Sequence, residues 1–131
     1  MSVWLYRDQG EEEKAMEAAH AGIRNAEIHL EQHPDSARAY ILTAGALRHI
    51  GNIEKGRQYV ESALRIDADS EDTQYNAACF YAHTGETDKA LDCLEKGMHD
   101  PEWIENDTDL DPIRDHPRFK EILDKRRAAL S

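Results

Sequence analysis

The feature that most constrains the fold of this chain is an internal repeat with a period of 34 residues. A shift by this period aligns small residues with small ones and large residues with large ones: Ala44 with Ala78, Gly51 with Gly85, Gly56 with Ala90 and Val60 with Leu94. Periods of about 20 to 50 residues are typical of proteins in which stacked units bury their apolar faces against one another. The sequence therefore predicts a repeat array.

The first complete repeat predicts two helices. Asp35 and Ser36 offer side-chain oxygens that can cap a helix over residues 37–50. Gly51 can end this helix because glycine tolerates a positive φ, and Asn52 can cap the next helix.

The second complete repeat follows the same plan. Asp69 or Ser70 precedes a helix over residues 71–84, Gly85 ends it, and a further helix is expected from Thr87 to about His99. Because the connection within each repeat is so short, its two helices are expected to pack antiparallel.

Composition favours helices throughout the chain. Only two phenylalanines occur among its 131 residues, valine is equally rare, and alanine, the best helix former, is abundant. Hydrophobic residues make up 40% and charged residues 33%, which is the balance of a soluble folded chain. The expected fold class is therefore all-α.

The charge balance argues against two classes of partner. The chain carries 16 basic and 27 acidic residues, for a formal net charge of -11. Nucleic-acid binding without sequence preference depends on lysine and arginine neutralising phosphates, and anionic membranes repel the same excess of carboxylates. We therefore expect neither a nucleic-acid partner nor a membrane partner.

The sequence also favours a cytoplasmic location. No apolar run approaches the roughly 20 residues that a membrane helix needs, and residues 1–10 lack the layout of a signal peptide. Cys79 and Cys93 fall in expected helices and are interpreted as reduced packing cysteines.

The N-terminal part, residues 1–36, is an altered repeat. Gly10 lies one repeat plus seven residues before Gly51, and a helix of about 35 Å is expected from Glu11 to His33. The segment before Gly10 is too short for a complete first helix. Either the chain begins within a repeat by design, or it was cut from a longer protein.

The C-terminal part, residues 101–131, is expected to form a helical cap. Pro101, Pro112 and Pro117 each suit the first turn of a short helix, with Asp100, Asp111 and either Asp115 or His116 as capping candidates. Seven apolar residues can cover the flank of the last repeat: Trp103, Ile104, Leu110, Ile113, Phe119, Ile122 and Leu123. The whole chain is thus one domain, with repeats at 37–70 and 71–100 between these two ends.

The paired small residues resemble those of the tetratricopeptide repeat (TPR) family. In that family, small residues occupy the contact between the two helices of a repeat, as Ala44 with Gly56 and Ala78 with Ala90 do here. The resemblance implies a right-handed solenoid of antiparallel helix pairs that acts as a protein-interaction scaffold without catalytic activity.

A narrower resemblance covers residues 75–86 and the C-terminal segment up to residue 123, with landmarks that include Trp103, Asp107 and Asp109. These stretches are similar to the repeat region appended to bacterial class III adenylate cyclases, winged-helix regulators and serine/threonine kinases. The resemblance implies a regulatory or scaffolding appendage of a larger bacterial signalling protein, although this chain contains no cyclase or kinase domain.

The TPR resemblance also implies a concave groove that binds a protein or peptide. The positions that line it in the family fall here on Arg38, Ile41, Gly45, Arg48 and His49, and then on Asp72, Tyr75, Cys79, Ala82 and His83. The groove is either open to an external ligand or filled by the long N-terminal helix or another domain. A different function is homodimerisation through the open N-terminal face.

Catalytic, metal and cofactor sites are not expected. The spacing of Asp107, Asp109 and Asp111 matches the start of an EF-hand loop, but Pro112 and Arg118 replace its essential glycine and glutamate. His29 and His33 share a helical face without an identifiable third ligand, and neither cysteine has a recognised catalytic signature around it. Solvated caps and packing residues account for these patterns.

Overall fold

The computed structural model describes residues 3–97 and 100–130, and the described residues form helices without any strand. The α-helices are α1 (Val3–Gln32), α2 (Ala37–His49), α3 (Ile53–Ile66), α4 (Glu71–His83), α5 (Thr87–Lys96), α6 (Pro101–Asn106) and α7 (Pro117–Leu130), and a 3-10 helix spans Thr108–Ile113. The expected all-α class is confirmed. Within the described ranges, none of these helices is both long enough and apolar enough to cross a membrane.

The two predicted repeats correspond to the helix pairs α2–α3 and α4–α5. The Ser36 side chain accepts a hydrogen bond from the Ala39 amide at 3.3 Å, and Ser70 does the same for Thr73 at 3.3 Å. Both first helices end before a glycine of positive φ, 89° at Gly51 and 78° at Gly85. The predicted starts and stops of α2 and α4 are confirmed to within one residue.

Two details of the second helices differ from expectation. Asn52 occupies the N-cap position of α3, but its side chain makes no capping hydrogen bond. Helix α5 ends at Lys96, before the expected end near His99, and residue 99 itself lies outside the described residues.

Small residues lie where the helices of each pair meet. A Cβ atom added to Gly56 would lie 3.2 Å from the backbone oxygen of Ala44 and 2.8 Å from the ring of Phe80. No side chain fits there without displacing a neighbour. In the second pair, Ala78 and Ala90 are both fully buried in the core, on the contacting helices α4 and α5.

An ion pair joins one repeat to the next. The Arg57 side chain on α3 donates from Nε to both carboxylate oxygens of Glu86, at 3.1 and 3.2 Å. Glu86 precedes α5 and also accepts a hydrogen bond from the Thr84 hydroxyl at 2.7 Å. The connection between α4 and α5 is thereby held against the preceding helix pair.

The expected break near Gly10 is wrong. Helix α1 runs without interruption over 30 residues, or about 45 Å, from Val3 to Gln32. A glycine inside a helix costs only about 1 kcal/mol relative to alanine, and good helix formers follow Gly10 directly. The N-terminal part therefore contributes one long helix rather than a shortened helix pair.

Among the residues of α1 whose side chains are described, 11–32, the buried ones lie toward the C-terminal end. Ile23 and Leu30 are buried, whereas Ala15, nearer the N-terminal end, is exposed. Helix α1 contacts α2, and Glu27 accepts a hydrogen bond from the Lys55 ammonium on α3 at 2.7 Å.

The C-terminal cap differs from its prediction at one proline. Helix α6 starts at Pro101 after an Asp100 cap, and His116 caps α7 by accepting from the Arg118 amide at 3.1 Å. Pro112 does not begin a helix but lies inside the 3-10 helix, which Asp107 caps instead. The fixed φ of proline suits a 3-10 helix as well as the first turn of an α-helix.

Six of the seven predicted cap residues are buried: Ile104, Leu110, Ile113, Phe119, Ile122 and Leu123. The prediction for Trp103 is wrong, because this side chain is 63% exposed. Successive residues on an α-helix point about 100° apart, so the helix that buries Ile104 turns Trp103 away from the core.

Polar contacts fix α7 to α5. Arg118 donates to Asp92 at 2.7 Å and to Glu95 at 3.2 Å. Arg126 donates to the backbone oxygen of Leu94 at 2.7 Å, which satisfies a carbonyl at the C-terminal end of α5.

Replacing Ala78 with leucine should overpack the contact between α4 and α5. We expect Ala78→Leu to lower the free energy of unfolding by about 1 to 3 kcal/mol, because the fully buried site has no room for three more carbon atoms. Thermal or urea unfolding measures the change. Ala15→Leu makes the same exchange at an exposed helical position and should have little effect. Equal stability of both variants would contradict the packing of the small residues.

Candidate protein-binding groove

The groove residues of α2 present a polar surface. Arg38 and His49 are exposed, Gly45 and Arg48 are half-buried, and Ile41 is buried in the core. The span from the first to the last of these positions is about 16 Å along the helix axis. In the described part of the chain, no extensive contact joins α2 to the C-terminal cap.

The groove residues of α4 have different surroundings. Tyr75 and Ala82 are buried, Cys79 is half-buried, and Asp72 and His83 are exposed. The Tyr75 hydroxyl donates a hydrogen bond of 2.5 Å to Asp107, and the His83 Nε2 atom lies 3.1 Å from a carboxylate oxygen of Asp109.

The 3-10 helix and the residue that caps it therefore lie along this side of α4. We expected an internal occupant of the groove to be the N-terminal helix or another domain. The C-terminal segment, over residues 107–113, covers the α4 side instead.

Tyr75 has little surface available to a ligand, since it is only 5% exposed. Burial and the hydrogen bond to Asp107 raise the pKa of this tyrosine well above its usual range, and a side-chain hydrogen bond with Trp103 acts in the opposite direction. The hydroxyl stays protonated at physiological pH and acts as a donor to the Asp107 carboxylate. In this arrangement Tyr75 joins α4 to the cap.

Cys79 lies beside two carboxylates. Its sulfur and one oxygen from each of Asp107 and Asp109 all lie within 4.8 Å of one another. Burial, together with the negative charges of these two residues, raises the pKa of the thiol to about 12, and Arg48 on α2 acts in the opposite direction. The protonated thiol is a weak nucleophile, because the thiolate is the reactive form.

The same three residues are the group of possible metal ligands found among the described side chains. His83 reaches the cluster through its contact with Asp109. A structural zinc site uses four ligands. The cluster itself offers three ligand atoms, one fewer than that set.

Two features of this region were missed by reasoning from the sequence. Asp107 and Asp109 were interpreted as solvated cap residues, yet they also contact Tyr75 and His83 more than two dozen residues earlier in the chain. The exposure of Trp103 was missed as well. Its neighbour Ile104 offered the only signal, since adjacent residues of one short helix do not face the same side.

The raised pKa of the Cys79 thiol can be tested by alkylation with iodoacetamide in a Cys93→Ala background. The native thiol should react much more slowly at pH 8 than the urea-unfolded protein, because little thiolate is present. Asp109→Asn should lower the apparent pKa of Cys79, since it removes a nearby negative charge. Asp88→Asn, at an exposed position of α5, should leave the pH profile unchanged. A native pKa near the ordinary value of about 8.5 would contradict this environment.

Comparison with known proteins identifies the second helix pair. Residues 71–98 match the family model described as tetratricopeptide repeat, and this range coincides with the pair α4–α5. No solved structure matches the chain. Together with the stacked antiparallel helices, the match makes the chain an all-α, TPR-like helical solenoid with a tetratricopeptide repeat at residues 71–98.

Proposed function

We propose that this chain is a protein-interaction scaffold or adaptor that binds a segment of a partner protein along α2. The observation that carries the proposal is the tetratricopeptide repeat at residues 71–98, because such repeats generally mediate protein–protein interactions and are not catalytic. Stacked repeats present extended surfaces that are already formed before a ligand arrives.

The side chains of α2 support binding at this helix. Arg38, Arg48 and His49 offer hydrogen-bond donors to a ligand, and Gly45 leaves a gap between them. A guanidinium group can pair with a carboxylate or stack on an aromatic ring. The α4 side carries the C-terminal segment, so a ligand that also used Tyr75 or Cys79 would have to displace it.

The binding role of α2 can be tested with a pair of arginine variants. A partner captured from the source cell is first purified, and its affinity is then measured for Arg48→Ala and for Arg65→Ala. Arg65 is an exposed residue of α3 and serves as the matched control. We expect Arg48→Ala alone to weaken binding by about 1 to 2 kcal/mol, or roughly 5- to 30-fold, since a few large side chains carry most of an interface's energy. Equal affinity of the two folded variants would contradict binding at α2.

A finer part of the proposal is that this chain belongs to a larger bacterial signalling protein. Its resemblance to regions appended to bacterial signalling proteins supports a regulatory appendage as the natural setting. Immunodetection of the native product in the source cell separates a much larger polypeptide from one of the size of this chain. A product of only 131 residues would contradict the appendage and leave an autonomous adaptor.

Homodimerisation through the N-terminal face is a second candidate function. Two large apolar side chains support it, since Ile28 on α1 is 58% exposed and Leu42 on α2 is 53% exposed. Both lie within about two helical turns of the α1–α2 connection. Apolar side chains that a monomer leaves in water can become buried when two copies associate.

Light scattering tests the second candidate through the mass in solution. The wild-type chain should have twice the monomer mass, and Ile28→Glu should have the monomer mass because it would place a charge in the interface. Gln32→Glu adds the same charge at an exposed position of the same helix and should remain dimeric. A wild-type monomer at high protein concentration would contradict dimerisation.

A further inference from the structure

Trp103 stands apart from the other apolar residues of the C-terminal cap. It is 63% exposed, whereas the six other predicted cap residues are at most 7% exposed. An exposed tryptophan adds little hydrophobic free energy to the stability of the fold. Tryptophan is among the residues that most often dominate the energy of protein interfaces. The exposed Trp103 side chain is therefore available for contact with a partner.

Trp103 lies beside α4. It is close enough to Tyr75 to lower the pKa of that hydroxyl, against the larger effects of burial and of Asp107. The Tyr75 hydroxyl donates to Asp107 at 2.5 Å, so two residues of this region are joined to each other next to the tryptophan. Most of the Trp103 side chain itself faces solvent.

The surroundings of Trp103 are acidic. The ring borders an open cavity of about 510 Å³ that is lined by Asp100, Glu102, Trp103, Asn106, Asp107 and Thr108. Three of these six residues carry carboxylates, and none of the described lining residues is basic. Asp100 and Asp107 accept hydrogen bonds from backbone amides, but each carboxylate keeps further lone pairs for another donor. Among the described residues, the cavity therefore combines an aromatic ring with three carboxylates that have no basic side chain beside them in the lining.

We propose that this cavity binds an arginine side chain from a basic segment of a partner protein. The guanidinium group stacks on the exposed face of Trp103, where the negative quadrupole of the ring attracts a cation. Asp100 and Glu102 supply the carboxylates with which its N–H groups pair. The chain's net charge of -11 draws such a segment from a distance.

The inference rests on the proposed scaffold function and adds a second surface, separate from α2, with a partner of defined chemistry. An arginine fits these residues better than an anionic or apolar group. An anion would meet three carboxylates, and an apolar group would leave their charge without a partner.

The probe for the test is a blocked peptide of alternating glycine and arginine, and its control contains citrulline in place of each arginine. Citrulline keeps nearly the same shape but has no charge, and a carbonyl oxygen replaces one NH2 group of the guanidinium, so that three of the five N–H donors remain. Binding is followed by the fluorescence of Trp103 in the full chain carrying Trp4→Phe, so that only one tryptophan reports. We expect the arginine peptide to change the signal in a saturable manner and to bind more weakly as salt rises, and the citrulline peptide to bind at least about fivefold more weakly.

Variants locate the bound arginine. Binding measured by calorimetry should weaken at least about fivefold in Trp103→Ala and in Glu102→Gln, because each removes one of the groups that contact the cation. Glu121→Gln removes the same charge at an exposed position of α7 and should bind as the wild type does. Thermal unfolding verifies that each variant is folded, and none of the three substitutions removes a buried side chain.

Several results would overturn the inference. They are equal binding of the arginine and citrulline peptides, unchanged binding by Trp103→Ala, and the absence of any signal at millimolar peptide. Binding of argininamide as tight as that of the peptide would point to a small cation and would also overturn it. The scaffold function is tested separately by Arg48→Ala, so an arginine peptide that fails to bind alongside an Arg48-dependent partner would reject only this second site.

Discussion

The structure depends on the close approach of two helix backbones within each repeat. At Gly56 a single added carbon would come within 3.2 Å of the Ala44 carbonyl oxygen, so the α2–α3 contact leaves no room for a side chain. Ala78 and Ala90 are fully buried on the second pair of contacting helices. Close packing of this kind fixes the angle within each pair, and the angle in turn determines which faces remain for the neighbouring helices and for a partner.

The C-terminal cap resolves a problem that every open solenoid has, since the last repeat would otherwise expose its apolar flank. Leu110, Ile113 and Phe119 supply the buried apolar surface, while Arg118 and Arg126 fix α7 to the end of α5. The cap also extends to the inner side of α4, through Asp107 and Asp109. The same segment that completes the core therefore covers the α4 side of the expected groove, and among the described residues it makes no extensive contact with α2.

The division of the groove also separates its charges. The donors Arg38 and Arg48 lie on α2, where a ligand carboxylate can reach them. Around Trp103 the side chains are acidic, and several arginines of the cap are already paired with partners inside the chain, as Arg114 is with Asp111 and Arg118 is with Asp92. A partner with both acidic and basic segments matches this distribution better than one of uniform charge.

The sequence by itself determined the helical repeats and their boundaries. The Ser36 and Ser70 side chains accept hydrogen bonds from backbone amides three residues later in the chain. Gly51 and Gly85 follow the ends of their helices with positive φ angles. These interactions are all local in sequence. The resemblance to the tetratricopeptide repeat family also implied that Ala44 and Gly56 meet where the two helices of the first pair touch, and the structure places them in contact.

Only the tertiary structure decided how the ends of the chain and the groove are arranged. The contact of Tyr75 with Asp107 joins residues 32 positions apart, and neither residue type predicts the other. Helix α1 continues through Gly10 although glycine has a low helix propensity. Trp103 faces solvent although tryptophan is a large apolar residue. Each outcome depends on which surfaces other helices have already covered, and that information is absent from any short stretch of sequence.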